Sequence, residues 1–592
     1  MKKVISNTMY ALKKIYDISP GLIFLTFFRS ILESIVSIID LLFVTFLLSS
    51  VIDKRDLVAL LVVSLMMYLF NLVYSLFMTF ANEYLMPKYM EILKSSIKKD
   101  IFIKIDYIDY SKYEDKQFYD ELTISIQQSD TRMIQVLNSV SMFIGNVFSV
   151  FALSSILIWI DGFIVFLVVL DVASTIFFNL KISKTKYKQF NESIEFERKR
   201  TYVQYIYNDI RHIKNIKLFS KFNGLLQKKY EVATKTLIEI LQKYFRRIWK
   251  NSCGQQCITG TLNFLSSIYL VMLVFNGKMI ISNFITATNS MKQLKSNLIN
   301  ISLIIPSLYE QSQYIEKIRC FFNQESSIET SNQFAIDHID HLDFDNIKFK
   351  YPTSQRYVIN DLSLKIRKGN KIAFVGRNGM GKSTILKLIC RLYKPNEGEF
   401  FFDDIPAANI DVWSLRNKIS IVFQEVDYYA TTLIENVLMR EIENKEEDEK
   451  IVLNALKKVG LFEKVSKLPN GIYTELSREF NELGTYFSGG EYQKLMIARA
   501  YVKGGDILIF DEPSSSLDAV AERNIFEDAM RNFDDRAIIF VTHKLSNIKD
   551  VDKIYFIENG MITEQGTHVE LMKNKGKYAE LFHLQAEAYI SS

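Results

Sequence analysis

The chain has 592 residues, room for about three or four average domains, or for fewer if one of them is a large membrane bundle. Hydrophobic residues make up 48% of it and it has only 8 prolines, which favours long apolar helices. Its 72 basic and 67 acidic residues nearly cancel, so nucleic acid is not expected as a partner, and 4 scattered cysteines are too few for a disulfide framework.

Six apolar runs in the first half are long enough to cross a bilayer, which takes roughly 20 helical residues. They cover residues 21–52, 57–80, 134–159, 162–180, 257–275 and 279–308. Two long connections, 82–131 and 181–250, are rich in Lys and Arg, and the positive-inside tendency places them and both termini in the cytoplasm. A large soluble helical domain is the alternative, and six such runs make it the less favoured one.

Two stretches in the long connections, Asp109–Leu122 and Tyr205–Ser220, mix aromatic and charged residues. This composition is typical of short surface helices that dock on another domain. A solvated helical hairpin without a partner is the alternative interpretation.

A charged residue inside an apolar run is costly and tends to face a cavity or a partner. Arg29, Glu33 and Asp40 fall on one side of the first predicted span, and Asp171 lies in the middle of the fourth. They line a substrate path, or they form ion pairs that only hold helices together. The sequence leaves both interpretations open.

The character of the chain changes at a polar stretch, residues 321–340. Ahead of it, residues 1–320 form the predicted transmembrane domain. Beyond it, residues 341–592 alternate short apolar runs with glycines and charges, which is typical of an α/β domain. The sequence therefore predicts an all-α six-helix transmembrane domain fused to an α/β domain.

A phosphate-binding loop, GRNGMGKST, follows a predicted strand at 371–375 and precedes a predicted helix at 383–392. Its backbone N–H groups can point at a phosphate chain, the lysine can reach the outer phosphates and the serine can hold Mg²⁺. The α/β domain is therefore predicted to be a P-loop ATPase domain. The candidate ATP-binding residues here are Gly376, Arg377, Asn378, Gly379, Met380, Gly381, Lys382, Ser383 and Thr384.

Two further predicted strands end in residues suited to phosphoryl transfer. The strand at 507–510 is followed by Asp511, placed to bind a metal ion, and by Glu512, placed near an attacking water. The strand at 538–541 is followed by His543, which can contact a terminal phosphate, although a lone His after a strand is more often structural. We take Glu512, His543 and Lys382 as the candidate catalytic residues.

A second anion site is predicted at Ser488, Gly489, Gly490 and Glu491, which open a helix and so present N–H groups and a positive dipole end. The run that they begin resembles the signature motif of ATP-binding cassette (ABC) proteins, and the whole chain resembles a type IV half-transporter. The resemblance implies that Tyr351 stacks on adenine, that Gln424 belongs to the Q-loop and contacts the metal with Ser383 and Asp511, that Asp518 belongs to the D-loop, and that His543 is the switch histidine.

Two departures from the family pattern accompany the resemblance. Phe487 and Glu491 stand where leucine and glutamine are usual, and the segment Thr474–Gly484 is longer and more charged than usual. That segment is similar to the version in exporters of modified peptides. Because only about 20 residues precede the first span, we expect no peptidase domain ahead of it.

The resemblance implies ATP-driven export across the cytoplasmic membrane by a dimer with ATP and Mg²⁺. Two cassettes close on shared ATP, and the stretches Asp109–Leu122 and Tyr205–Ser220 become coupling helices. The expected partners are a second copy of the chain, membrane lipid and an exported peptide; a second, different half-transporter is the alternative dimer partner. Flipping of a lipid or lipid-linked glycan, multidrug export, and a non-transporting ATP-gated regulator are the alternative functions.

Overall fold

The computed structural model describes residues 2–49, 57–208, 210–326, 328, 334–425, 427–513, 519–533 and 535–590. The chain divides into two compact units. The first comprises residues 1–101 and 123–321, and the second comprises residues 102–122 and 322–592. The short segment 102–122 therefore belongs to the same unit as the C-terminal part of the chain, and it includes the whole of the first predicted coupling stretch, Asp109–Leu122.

The first unit is helical. Its helices, three of which extend into residues of the second unit, are α1 Lys2–Ile18, α2 Pro20–Leu48, α3 Leu57–Phe80, α4 Met86–Asp106, α5 Lys116–Asn208, α6 Ile210–Leu218, α7 Ser220–Phe275 and α8 Ile281–Phe322. Within α5, Asp161 has the non-helical angles φ −164° and ψ 116°, so two helices meet there. This break separates the third predicted span from the fourth.

By length and composition, four of the described helices can cross a membrane: Pro20–Leu48, Leu57–Asp106, Lys116–Lys186 and Ser220–Phe275. The α3 helix illustrates why: only Val63 of its 24 residues is buried, and its exposed side chains are large and apolar. A surface of this kind suits lipid and not water. The expectation of several apolar membrane helices is confirmed, whereas the sixth predicted span, in the more polar α8, stays a prediction.

The second unit contains two sheets. A four-stranded antiparallel sheet has the order β2-β1-β4-β5, and a six-stranded sheet has the order β10-β9-β3-β8-β7-β6. The strands are β1 His341–Phe349, β2 Ile359–Arg367, β3 Lys371–Val375, β4 Glu397–Phe402, β5 Ile405–Pro406, β6 Ile419–Val422, β7 Ile507–Asp511, β8 Ala537–Val541, β9 Lys553–Glu558 and β10 Met561–Gly566.

Helices cover the larger sheet. They are α9 Lys382–Ile389, α10 Val412–Asn417, α11 Leu433–Leu438, α12 Lys445–Lys458, α13 Phe462–Ser466, α14 Gly489–Lys503, α15 Ala519–Asn532, α16 His568–Asn574 and α17 Lys577–Ile590. Every residue of β7 and β8 is buried, as is expected for parallel strands packed on both faces. This α/β architecture confirms the predicted fold class of the second half.

The three strands predicted around the candidate site are confirmed as β3, β7 and β8. The helix after the phosphate-binding loop was predicted to run to Leu392, but α9 ends at Ile389. Arg391 adopts a positive φ of 49°, which a right-handed helix does not accommodate. Strands β3, β6, β7 and β8 run parallel, so their carboxyl ends meet along one edge of the sheet.

Candidate functional site

The phosphate-binding loop depends on glycines at two tight positions. Gly376 has φ of 152°, and a Cβ there would lie 2.3 Å from the carbonyl oxygen of Ile557. Gly381, with φ of 100°, caps α9, and a Cβ there would lie 2.6 Å from Ile359 Cδ1. Both positions combine a positive φ with a close approach, so only glycine fits them without a shift of the neighbouring atoms.

The ammonium group of the loop lysine is hydrogen-bonded to the backbone of the loop. Lys382 is buried, and its ammonium group donates to the carbonyl oxygens of Gly376 at 2.8 Å and Arg377 at 3.1 Å. Burial lowers the pKa of Lys382, and the negative charges of Glu512 and Asp511 oppose that shift. The loop thus carries a desolvated cation next to N–H groups, an arrangement that can bind phosphate.

The carboxylates that follow β7 differ in their surroundings. Asp511 is buried and accepts a hydrogen bond from the Ser383 hydroxyl at 3.3 Å. Burial raises the pKa of Asp511 to about 6, against the hydrogen bond from Ser383 and with the help of the nearby Glu512 charge. A cation placed between Asp511 and Ser383 would offset the free-energy cost of burying the charged carboxylate of Asp511.

Glu512 contacts two other predicted site residues. Its Oε2 accepts from Gln424 Nε2 at 3.0 Å and lies 3.5 Å from His543 Nδ1. Its backbone is in the left-handed region, with φ of 48°, a conformation that is uncommon for a residue with a side chain and that recurs at functional sites. The ends of β6, β7 and β8 therefore bring an amide, a carboxylate and an imidazole together.

Tyr351 lies beside α9. Its hydroxyl is 3.0 Å from the Thr384 hydroxyl, and its ring packs edge-on against Tyr393 with centroids 5.3 Å apart. Lys387, on the same helix, lies 5.5 Å from the Tyr351 ring. The tyrosine predicted to stack on adenine is thus held next to the helix that follows the phosphate-binding loop.

The predicted signature segment makes a different set of contacts. Ser488 caps α14: its hydroxyl accepts from the Glu491 N–H, and the Glu491 carboxylate accepts from the Ser488 N–H. Glu491 also bonds Lys464 at 2.7 Å, and Phe487 is buried against Tyr492. Burial raises the pKa of Glu491, but the bonds from Lys464 and Ser488 outweigh it and leave that pKa below its usual value. Ser488 and Gly489 remain exposed at this helix end.

The residues at the loop and at Asp511 fit Mg²⁺. Mg²⁺ prefers hard oxygen ligands and is usually held by one or two carboxylates together with substrate phosphates. Ser383 and Asp511 supply two such oxygens, and Gln424 keeps its amide oxygen available because its Nε2 donates to Glu512. Across the part of the chain that the structure describes, no group of three or more His, Cys, Asp or Glu side chains forms a metal cage. Asp518, predicted in the D-loop, lies outside the described residues.

The charged residues predicted to line a substrate path fall in two places of the first unit. On α2, Arg29 lies 3.2 Å from Glu33, one turn further on, and donates to Asn82 at 3.0 Å. Asp40 accepts from Asn71 at 3.0 Å. The contacts with Asn71 and Asn82 join α2 to α3 and to the π-helical turn Ala81–Leu85 that follows α3. The Arg29–Glu33 contact is an ion pair within α2.

Asp171 is separate from them and forms an ion pair with Lys295 at 2.5 Å. Its side chain is 5% exposed, and its Oδ1 has no hydrogen-bond partner in the described structure. It lines a cavity of about 310 Å³ between α5, α7 and α8. The other polar side chains of this cavity are Asn263, Ser266, Ser267, Thr288, Lys292 and Lys295. A buried charge at a cavity of ligand size suits a binding site.

The comparisons with known proteins agree with this geometry. A family model described as ABC transporter matches residues 359–515, which include the phosphate-binding loop, Gln424, the signature segment and Glu512. This part of the chain is an ABC transporter ATP-binding domain. The chain is therefore an ATPase coupled to transport, and its apolar helices make it a multi-pass membrane protein with the ABC domain in the cytoplasm.

Relatives extend the similarity over most of the chain. The nisin transport ATP-binding protein of Lactococcus lactis subsp. lactis is 26% identical over 509 residues, which is 85% of this chain and 84% of that protein. The subtilin transport ATP-binding protein of Bacillus subtilis is 26% identical over 556 residues, 93% of this chain and 90% of that protein. The solved structure of a bacterial Atm1-family ABC exporter with ATP bound shares the fold with a TM-score of 0.76 at 21% identity, over 95% of this chain and 100% of that one.

Two features of the ABC domain were missed by sequence reasoning. The Glu491 capping box has a recognisable signal, a serine followed three residues later by glutamate at a helix start. Lys464, which neutralises Glu491, has no local signal because it lies 27 positions away. The unusual Glu491 therefore serves the helix start.

This role of Glu491 predicts different effects for two substitutions. Glu491→Ala removes the capping bond and leaves Lys464 without its carboxylate, so we expect a loss of about 1 kcal/mol in the free energy of unfolding. Glu491→Gln keeps an acceptor for the Ser488 N–H and loses only a half-exposed ion pair, so we expect a change of a few tenths of a kcal/mol. Chemical denaturation of the detergent-solubilised protein measures both, and equal losses would contradict the capping role.

Proposed function

We propose that two copies of this chain export a peptide across the cytoplasmic membrane, driven by ATP that binds between their ABC domains. ATP-driven export follows from the ABC domain and the apolar helices. The peptide cargo is supported by the similarity to the nisin and subtilin transport proteins, which extends over 84% and 90% of their lengths. The convergence of Gln424, Glu512 and His543 beside the phosphate-binding loop is the observation that carries the ATPase assignment.

The assigned roles follow from chemistry and position. The loop N–H groups and Lys382 hold the phosphates, and Tyr351 stacks on the adenine. Ser383, Asp511 and Gln424 hold Mg²⁺, which neutralises phosphate charge when it is bound. Glu512 orients the attacking water and accepts its proton, while His543 donates to the terminal phosphate.

The dimer is supported by the distribution of the two anion sites. Ser488 and Glu491 bond to each other, and Glu491 also accepts from Lys464, whereas Ser383 of the loop donates to Asp511. One chain therefore presents two separate half-sites. Gly489 and Gly490 add N–H groups to the helix start. A signature on one copy can cover ATP held by the loop of the other, and two such sites form between identical chains by two-fold symmetry.

A route from the nucleotide to the membrane helices is supported by contacts inside the second unit. Tyr110 packs edge-on against Tyr393 with centroids 5.6 Å apart, and Tyr393 packs in the same way against Tyr351. The Tyr393 hydroxyl also donates to Glu114, and Asp109 accepts from the Ile328 N–H at 3.0 Å. The segment Asp109–Leu122 therefore acts as a coupling segment next to the adenine site.

Vesicle transport tests the cargo. Inside-out vesicles that contain the chain are supplied with ATP and a labelled precursor peptide, and we expect saturable uptake that requires ATP hydrolysis. Flipping of a labelled lipid or uptake of small hydrophobic compounds, without peptide uptake, would contradict the peptide assignment. ATPase activity that responds to no cargo, with no uptake of any kind, would favour a non-transporting regulator.

The cavity at Asp171 gives this proposal a test within the membrane helices. Asp171→Asn leaves Lys295, whose side chain is only 18% exposed, without its counter-charge. We therefore expect a loss of roughly 3 kcal/mol in stability together with reduced peptide uptake. The double variant Asp171→Asn with Lys295→Gln removes both charges and restores stability. If Asp171 contacts the cargo, the double variant folds but remains defective in uptake; full recovery of uptake would show that the pair only holds helices together.

A further inference from the structure

The loop that carries His543 is held by a residue from the last helix of the chain. Gln585, on α17, accepts from the Leu545 N–H at 3.0 Å through its Oε1. Its Nε2 donates to the His543 carbonyl oxygen at 2.5 Å. One side-chain amide therefore bonds the backbone on both sides of Lys544, immediately after the switch histidine.

Only a carboxamide of this length satisfies both backbone groups at once. The Leu545 N–H requires an acceptor and the His543 carbonyl requires a donor, and a neutral amide supplies both. A carboxylate at 585 would keep the first bond and set an oxygen against the His543 carbonyl. An apolar side chain would make neither bond, so the identity of the residue matters and not only its size.

The other side of the same loop is held by a buried carboxylate. Glu522, on α15, accepts from Lys544 Nζ at 2.6 Å and from Asn547 Nδ2 at 2.8 Å. Its side chain is 4% exposed, so the ion pair is well shielded. The loop is thus fixed from two helices, and Gln585 is the contact that reaches the backbone of His543 itself.

The last helix is itself firmly placed. Tyr578, in its first turn, is fully buried, and its hydroxyl lies 2.8 Å from His568 Nδ1. The N–H groups of Lys577 and Tyr578 donate to the carboxylate of Glu564 at 2.6 Å and 3.2 Å. Gln585 follows Tyr578 by seven positions, two helical turns, and so lies on the same face of the helix.

We propose that Gln585 is a positioning residue for ATP hydrolysis, which sets the backbone of His543 and makes the C-terminal helix part of the hydrolytic apparatus. The proposal rests on the function assigned above to His543. Gln585 does not touch the nucleotide in this account, and it acts only through the switch-histidine loop. Its loss therefore affects the hydrolysis step and leaves the phosphate-binding loop able to hold ATP.

Steady-state ATPase kinetics of the full-length protein test the proposal. We expect Gln585→Met to lower kcat by about tenfold, with the KM for ATP within about twofold of the unaltered value, because two backbone hydrogen bonds are lost. Gln585→Glu keeps the bond to Leu545, so its kcat should lie between those of Gln585→Met and of the unaltered protein. The matched control is His583→Ala, an exposed position on the same helix, which should leave both constants unchanged.

Combination with His543→Ala separates positioning from general damage. If Gln585 acts through the histidine, Gln585→Met should lower the residual single-turnover rate of His543→Ala protein by less than about twofold. A tenfold loss in both backgrounds, a parallel rise in KM, or no effect of Gln585→Met would overturn the proposal. If His543→Ala itself hydrolyses ATP at the normal rate, the role of the histidine in the proposed function fails as well.

Discussion

Replacement of Glu512 by glutamine is expected to slow ATP hydrolysis by about a hundredfold or more, while ATP remains bound. The amide has the same shape and still reaches Gln424 and His543, but it cannot accept a proton from the attacking water. The loop around Lys382 is unchanged, so affinity for ATP should be close to that of the unaltered protein. Phosphate release and nucleotide binding, measured on the same preparation, test this result.

A second readout of the Glu512 variant concerns the dimer. Because ATP is no longer consumed, the two ABC domains should stay closed on it, and a population with trapped ATP should accumulate on addition of Mg²⁺ and ATP. Glu527→Gln, on the exposed face of α15, is the matched control and should hydrolyse ATP normally. Hydrolysis at the normal rate in the Glu512 variant would contradict its assignment as the general base.

The second large effect is expected for Ser488→Arg. Arginine places a bulky side chain over the N-terminus of α14, so the helix end can no longer approach phosphate held by another chain. The capping bond is lost too, which lowers the free energy of unfolding by about 1 kcal/mol. This loss is too small to unfold the ABC domain, so the expected effect comes from blocked closure of the two domains. We therefore expect ATP hydrolysis to fall to the background rate while each chain still binds ATP at its own loop.

Two measurements distinguish this expectation from misfolding. A fluorescent ATP analogue should bind the Ser488→Arg protein with nearly the affinity of the unaltered protein, whereas Lys382→Ala should bind it weakly. Ser488→Thr keeps a hydroxyl that can cap the helix, and it should retain most of the activity. Normal turnover in the Ser488→Arg protein would contradict the role of the signature.

Much of the ABC domain could be predicted because many of its candidate site residues occur in short sequence motifs next to the strands that position them. The glycines around Lys382 and the acidic pair after β7 each lie next to the strand that positions them, so the parallel sheet brings them together. The contact of Glu512 with Gln424 and His543 required only that three strand ends share one edge. Tyr351 and the Ser488 segment were found through the family resemblance, and their roles remain predictions.

Features that depend on contacts between distant parts of the chain could not be predicted. Gln585 lies 42 positions from His543, and nothing in the local sequence marks a glutamine as a partner of a backbone carbonyl. The same holds for Lys464 and Glu491. In the first unit, Asp171 was marked as a buried charge, but its partner Lys295 was not, because helix packing brings together residues from different predicted spans.

The central claim is that each ATP is bound by the loop of one chain and the signature of the other. Chains with Lys382→Ala and chains with Ser488→Arg, carrying different affinity tags, can be co-expressed and the mixed dimer purified through both tags. Each variant alone has no complete site, but the mixed dimer has one intact site, so the account predicts that its ATPase activity recovers to as much as about half of the unaltered value. A mixed dimer as inactive as either parent would contradict a shared site.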